Sequence, residues 1–295
     1  MGRSYHVPNI DGPHTFRQEG DNMNEIRKNG WAYVLIAGFI LVFNVPILLT
    51  LLNSLKTNQQ IITQPPVWIF APIIEHYERI FQDANFPVWF YLKNSILTSV
   101  FGTILTIMIA FPAAYTMARH NTGGEKYELW LLSTRMLPGA VFIIPTYVLF
   151  SVIGLVDSPL GLILIYLSFN LPLAIWIIRG FVRELPNEID EAAGLDGAST
   201  FKIMTSVIFP MTAPGIIAVA VLTFAACWNE YFFSLVFSDL HATTFTVAGQ
   251  RFMTGHAILW GEISSAVTVG IIPVIMVAFI FQRFMVKGLS MGAVK

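Results

Sequence analysis

The sequence predicts an all-α polytopic membrane protein with six transmembrane helices. Three observations carry that prediction. Of the 295 residues, 55% are hydrophobic and only 12% are charged, where a soluble domain carries roughly 25% charged residues. Mean hydropathy over the whole chain is +0.65. Six apolar runs each approach the roughly 20 residues that a helix needs to cross the hydrocarbon core. They must be helical because lipid offers a bare backbone no hydrogen-bond partner.

In chain order the runs are Trp31–Leu52, Asn94–Ala118, Leu129–Ile153, Pro159–Phe181, Pro214–Phe237 and Ser265–Val286. The first 30 residues are polar and irregular. No small-residue cleavage site ends the first run, so it reads as an uncleaved span. The segment 53–93 is the longest external loop. Its Pro65-Pro66, Pro72 and Pro87, with Trp68, Phe70, Tyr77 and Trp89, suit an interfacial cap with a short helix near Glu75–Asp83. Arg135 falls within the third run, where it either snorkels to the headgroups or meets a partner. Asn44 and Asn170 are expected to hydrogen-bond between helices. Pro46, Pro112, Pro138, Pro145, Pro172 and Pro273 lie within spans and can bend them.

The fifth run contains Trp228-Asn229-Glu230-Tyr231. Glu230 is the carboxylate expected well inside a span, and an intramembrane charge is costly enough to imply a role. Two readings stand. These four residues line a solute path, with aromatic faces and hydrogen-bonding groups, or Glu230 bonds structurally to a neighbouring helix. Cys227 is the single cysteine; it forms no intrachain disulfide and reads as a small core residue.

An even number of spans puts both termini on one side. On that side lie Arg3, Arg17, Arg27, Lys28, Arg119, Lys126, Arg179, Arg183, Lys202, Arg283, Lys287 and Lys295. The other side holds Lys56, Arg79, Lys93 and Arg251. The excess makes the first side cytoplasmic. The net charge of −1 argues against a nucleic-acid partner, which needs a basic surface. The six histidines are scattered without an H-E-x-x-H pair, and no G-x-x-x-x-G-K-[ST] phosphate loop occurs. An enzymatic reading has no residues to rest on.

The cytoplasmic segment 185–212 is the most specific feature. Pro186 suits a first helical turn, and Glu188, Asp190 and Glu191 place negative charge at the positive end of the helix dipole. Leu185, Ile189, Ala192 and Ala193 form one narrow apolar stripe. Gly197 permits a corner, and Ser199 can cap a second short helix carrying Phe201, Met204, Val207 and Ile208. Pro210 and Pro214 are expected to end it.

Glu191-Ala192-Ala193, three residues, Gly197, nine residues and then Val207-Ile208-Phe209-Pro210 resemble the EAA loop of permease subunits of ATP-driven (ABC) importers. Val207 and Phe209 stand where Ile and Leu are usual. Leu185-Pro186, Asp196-Gly197-Ala198-Ser199, Arg135-Met136-Leu137-Pro138, Trp228-Asn229-Glu230-Tyr231 and the tail Gly288–Lys295 are similar to carbohydrate importer permeases of the maltose type. The resemblance covers residues 94–295. It implies a type I importer permease fold with a core at 94–286; the tails at 1–30 and 287–295 are placed in the cytoplasm by the charge count, and the resemblance does not reach residues 1–30. It also implies that Glu191, Ala192, Ala193, Asp196, Gly197 and Pro210 couple to an ATPase. The implied partners are a second homologous permease, two ATPase subunits, an external solute-binding protein and membrane lipid. ATP and magnesium would sit on the ATPase, with no cofactor on this chain. The implied cargo is a sugar, oligosaccharide or polyol. A non-carbohydrate importer is the alternative, and an ion-coupled carrier, which normally has midplane ion sites, is a more distant one.

Overall fold

A computed structural model describes residues 30–83, 86–252 and 258–291, and side chains at 125 and 283–291 are not described. The N-terminal tail 1–29 and residues 292–295 lie outside the described residues. The regular elements are helices. The chain divides into two units, 1–52 and 53–295.

The first unit contributes α1 (Gly30–Asn53). Its polar side chains are satisfied by their own helix: Asn44 donates to the Ile40 carbonyl at 2.7 Å, and Thr50 to the Pro46 carbonyl at 2.9 Å. Asn44 thus bonds within its helix rather than to another. An apolar helix with its polar groups satisfied internally is suited to lipid.

In the second unit, α2 (Asn58–Ile62) and α3 (Glu75–Gln82) precede the long α4 (Val88–Arg119). Next come α5 (Gly124–Ser133), α6 (Ala140–Val152) and α7 (Pro159–Glu184). The coupling segment is α8 (Glu188–Leu195) and α9 (Thr200–Met211). Then follow α10 (Ala213–Trp228), α11 (Phe232–Phe237), α12 (Phe245–Ala248) and α13 (Trp260–Met291). The backbone is therefore helical into the predicted 287–295 tail.

The core forms where α4, α7 and α10 pack together. Asn94, Ser95, Thr98, Ser99, Gly102, Thr103, Thr106, Ala110 and Ala114 make the buried face of α4. Small side chains let helices approach closely, which is how helices associate in lipid. The threonine hydroxyls turn onto their own backbone: Thr98 donates to Asn94 O at 2.8 Å, Thr103 to Ser99 O at 2.7 Å and Thr106 to Gly102 O at 2.6 Å, whereas the buried Ser99 hydroxyl has no hydrogen-bond partner among the described residues. Towards the coupling segment, Phe111 and Ala114 of α4 meet Ile175, Ile178 and Val182 of α7 and Ile216 and Val219 of α10. At Gly215 a Cβ would lie 2.3 Å from the Phe181 ring, so α10 meets α7 at a distance that only glycine allows.

Two expected spans are broken. The run Leu129–Ile153 is not one helix: α5 ends in a 3₁₀ turn at Thr134–Met136, and α6 leaves at 89°. Pro138 excludes the helical conformation from the residue before it, and Leu137 is extended at φ −75°, ψ 130°. The run Pro214–Phe237 stops at Trp228 and restarts at Phe232. A further bend of 78° separates α9 from α10. Among the described residues, four helices are long and apolar enough to cross a membrane, and up to six spans result if each bent pair counts as one.

Arg135 lies at the first break and donates to the Phe169 carbonyl of α7 at 2.7 Å, so it binds a neighbouring helix. Arg179, expected near the loop after span four, is buried within α7 and pairs with Glu128 of α5. On the side predicted to be external, Glu262, in the first turn of α13, gathers the 53–83 segment. Its carboxylate accepts from Asn58 and Arg79, each at 2.9 Å, and lies 3.3 Å from His76 Nδ1. His76 Nε2 reaches the Lys56 carbonyl at 2.8 Å.

A second tie is Asp157, between α6 and α7. Its carboxylate accepts the backbone N–H groups of Asp239, Leu240, His241 and Ala242 at 2.7–3.1 Å. Partial burial pushes its pKa up, but the four N–H donors outweigh this and hold it below the ordinary value. A lowered carboxylate pKa contributes stability that is present above the unfolded-state value and lost as pH falls through the folded one. Protection of amides 239–242, measured by hydrogen exchange and corrected for intrinsic rates, should fall on acidification through that range. Asp157→Asn should remove the dependence; a wild-type loop equally protected at all pH values would contradict this account.

Candidate coupling segment and polar cavities

The corner in the coupling segment follows from its sequence. Gly197 has φ +80°, in the left-handed region that disfavours any side chain. Ala198 N–H bonds to Ala193 O and Gly197 N–H to Gly194 O, each at 3.0 Å. This is a Schellman ending, which satisfies the last carbonyls of α8. A Cβ at Gly197 would meet nothing within 4 Å, so the requirement for glycine is conformational alone.

The apolar stripe on α8 is narrower than expected. Ile189, Ala193 and Ala198, with Leu185, pack against the core where α4, α7 and α10 meet. Ala192 faces outward instead, with Glu188, Glu191 and Asp196. Leu195 is 91% exposed and Phe201 70%, so the outward face combines carboxylates with bare apolar side chains. The neighbouring Asp190 points inward, where Tyr115 of α4 donates to it at 2.8 Å. Glu191, one residue on, accepts no hydrogen bond among the described residues.

Ser199 caps α9 through the Lys202 N–H at 3.4 Å. Pro210 does not end this helix but sits inside it. A proline there cannot bond to the carbonyl four residues back, and its ring crowds that carbonyl. The preceding turn opens accordingly: Ile203–Ile208 is a π-helix, and Phe209 N–H bonds to Met204 O. Pro214 lies in the first turn of α10.

The quartet 228–231 divides between two cavities. One, of about 470 Å³, is lined by Trp228, Asn229, Thr246, Gln250, Ile271 and Val274, among others. Trp228 is buried and donates to the Gly270 carbonyl at 3.0 Å, tying α10 to α13. Asn229 is exposed. The other cavity, of about 300 Å³, holds Glu230 with Arg135, Tyr166, Asn170, Cys227 and Phe233. The Tyr166 hydroxyl is buried there without a hydrogen-bond partner. Tyr231, half-buried, lines neither. The two helix breaks meet at this second cavity, since Gly139 lies so close to Phe233 that a Cβ would stand 2.9 Å from its ring. Glu230 lies in the break, not inside a helix, and its Oε1 accepts the Phe233 N–H at 3.0 Å, capping α11. Glu262, Asp157 and Arg179 were not singled out as site residues from sequence. A carboxylate in the first turn of a helix was the available signal for Glu262.

Long apolar helices, a core of small residues, discontinuous spans beside cavities and an exposed corner define a class: a polytopic membrane permease subunit. Residues 102–291 match the family described as binding-protein-dependent transport system inner membrane component. The chain belongs to that family. It is 32% identical over 270 residues to the probable ABC transporter permease protein y4oR of Sinorhizobium fredii, covering 91% of this chain and 96% of that one. It is 32% identical to the trehalose/maltose transport system permease protein MalG of Thermococcus litoralis, over 79% of this chain and 87% of that one. The sulfoquinovosyl glycerol transport system permease protein SmoH of Agrobacterium fabrum is also 32% identical, over 88% and 92% of the two chains. In fold the chain is similar to a crystal structure of a bacterial ABC transporter that imports alginate, with a TM-score of 0.70 over 88% of this chain and 98% of that one, at 22% identity.

Two variants test this geometry. Gly197→Ala should destabilise the corner by about 1–2 kcal/mol and Gly197→Asn by less, because asparagine tolerates the left-handed region. Denaturant unfolding of the purified protein measures both, and equal stability of all three proteins would refute the requirement. Glu230→Gln keeps the oxygen that caps α11 and should leave uptake unchanged, whereas Glu230→Ala should reduce it. An altered solute preference in the Gln variant would place Glu230 in contact with cargo.

Proposed function

We infer that this chain is one of two permease halves of an ATP-driven importer of sugars, oligosaccharides or polyols, with its coupling segment seated in a separate ATPase. The observation that carries this reading is the outward face of α8. Glu191, Ala192 and Leu195 stand exposed on a helix whose other face is fixed to the core. A carboxylate beside bare apolar side chains suits a groove with an apolar floor and a basic rim.

Orientation follows from charge: the basic excess lies on the side of the coupling segment, which makes that side and both termini cytoplasmic. The external loops then face a solute-binding protein, consistent with the structural relative captured with an alginate-pentasaccharide-bound periplasmic protein. The membrane in question is the cell's inner membrane. ATP and magnesium belong to two ATPase subunits, and this chain binds no cofactor of its own. Alternating access proceeds as closure of the ATPases displaces α8 and, through it, the core helices.

The assignment of cargo draws on relatives named for trehalose/maltose, sulfoquinovosyl glycerol and diacetylchitobiose. The cavity beside α13 agrees in chemistry, since Trp228 supplies an aromatic face and Asn229, Thr246 and Gln250 supply hydrogen-bonding groups for a hydroxyl-rich solute. A second permease would complete the path.

Reconstitution of the full complex in vesicles tests the reading. Uptake should require ATP and proceed without an ion gradient; uptake driven by a gradient alone would replace this mechanism with a secondary carrier. Glu191→Lys should lower uptake about tenfold or more while the permease remains in the membrane. Normal uptake by that variant would remove α8 from the coupling role.

A further inference from the structure

Both covalent connections of α8 are compliant. Between α7 and α8 the chain is extended at Leu185, with φ −80° and ψ 133°, so no helix runs through. On the other side come the Gly197 corner and the π-helical turn of α9. A push on α8 would be absorbed at these joints if they were its only attachments.

Beyond these joints the attachments are non-covalent: Ile189 and Ala193 pack on the core, and a directional polar tie is added to that packing. Arg119, the last residue of α4, reaches across to the coupling segment. Its Nη1 donates to the Leu185 carbonyl and to Asn187 Oδ1, each at 2.8 Å. Its Nη2 lies 2.8 Å from Asp190 Oδ2. Tyr115, one turn back on α4, donates to the other Asp190 oxygen at 2.8 Å. The Arg119 and Asp190 side chains are 6% and 16% exposed, so water screens the pair weakly. One planar guanidinium thereby grips the end of span four, the start of the coupling helix and the helix's inward carboxylate. Nη2 and Asp190 Oδ2 meet as an ion pair outside hydrogen-bond geometry, and a lysine ammonium lacks the planar, delocalised charge that reaches Asp190 while Nη1 holds the two other oxygens.

The geometry points to Arg119 as the positioning residue that makes span two and the coupling helix one rigid body, with Asp190 and Tyr115 as its counterparts. Force applied to the Glu191 face then reaches α4 directly, and through α4 the packed α7 and α10, instead of being lost in the Leu185 joint. This rests on the coupling role of α8 proposed above.

The test uses the whole reconstituted complex and reads solute moved per ATP hydrolysed. Arg119→Lys and Asp190→Asn should each lower that ratio about fivefold to tenfold, and the double variant no further than the worse single, as for two ends of one contact. A merely structural role would cut uptake and hydrolysis together, in proportion to intact complex. An unchanged ratio, or effects that multiply in the double variant, overturns the proposal. If Arg119→Lys fails to assemble, Tyr115→Phe decides, since it removes one hydroxyl and keeps the ring: a lowered ratio supports the linkage and an unchanged one refutes it. Normal ratios here with uptake impaired in Glu191→Lys would sink only the linkage, whereas normal uptake in Glu191→Lys would sink the coupling role itself.

Discussion

Close approach of α4, α7 and α10 along small side chains is the constraint from which the rest of the structure follows. In lipid, apolar surface gains little by leaving one hydrocarbon environment for another, so helices associate through dense packing and internally satisfied polar groups. Apart from the Ser99 hydroxyl, the face of α4 from Asn94 to Ala114 meets both conditions, with slim side chains and threonine hydroxyls bonded to their own backbone. Gly215 brings α10 within reach of Phe181 in the same way. The inward side chains of α8 extend the apolar packing of this block beyond the last turns of α4 and α7.

The breaks in spans three and five are where helical continuity is given up. Each follows from local chemistry: Pro138 forces Leu137 out of the helix, and Glu230 caps a new helix at Phe233. Non-helical backbone is tolerated at membrane depth when it is enclosed by protein or lines a cavity, and both breaks adjoin the cavity that holds Arg135 and Glu230. Irregular backbone is thus concentrated beside the cavity, while the side against which α8 lies stays packed.

Much of this was legible in the chain. Uninterrupted apolar runs announce α1, α4, α7 and α13, because a helix in lipid needs little beyond length and hydropathy. Gly197 announces its corner because the positive φ admits few other residues. The breaks were harder, since Leu129–Ile153 and Pro214–Phe237 keep a high average hydropathy despite Arg135, Asn229 and Glu230 at the breaks, and hydropathy does not register a change of direction. Ala192 and Ala193 are alike in sequence and face opposite ways, a distinction set by where the core lies. Glu262 owes its importance to Asn58, His76 and Arg79, which are remote along the chain, so its place in a first helical turn could not by itself reveal those partners. Pro210 looked like a terminator and instead widens the turn before it.

Asp190 and Glu191 are consecutive, yet one is bound inside and the other stands free outside. Successive helical residues are separated by about 100° of rotation. Gaining or losing a single codon between Pro186 and Asp190 would swing the anchored carboxylate out of Arg119's reach and present another side chain to whatever meets the exposed face. Point substitutions on the open surface leave that phase untouched. The spacing of this stretch is therefore under a stricter constraint than its composition, and length variation among homologous chains should accumulate elsewhere.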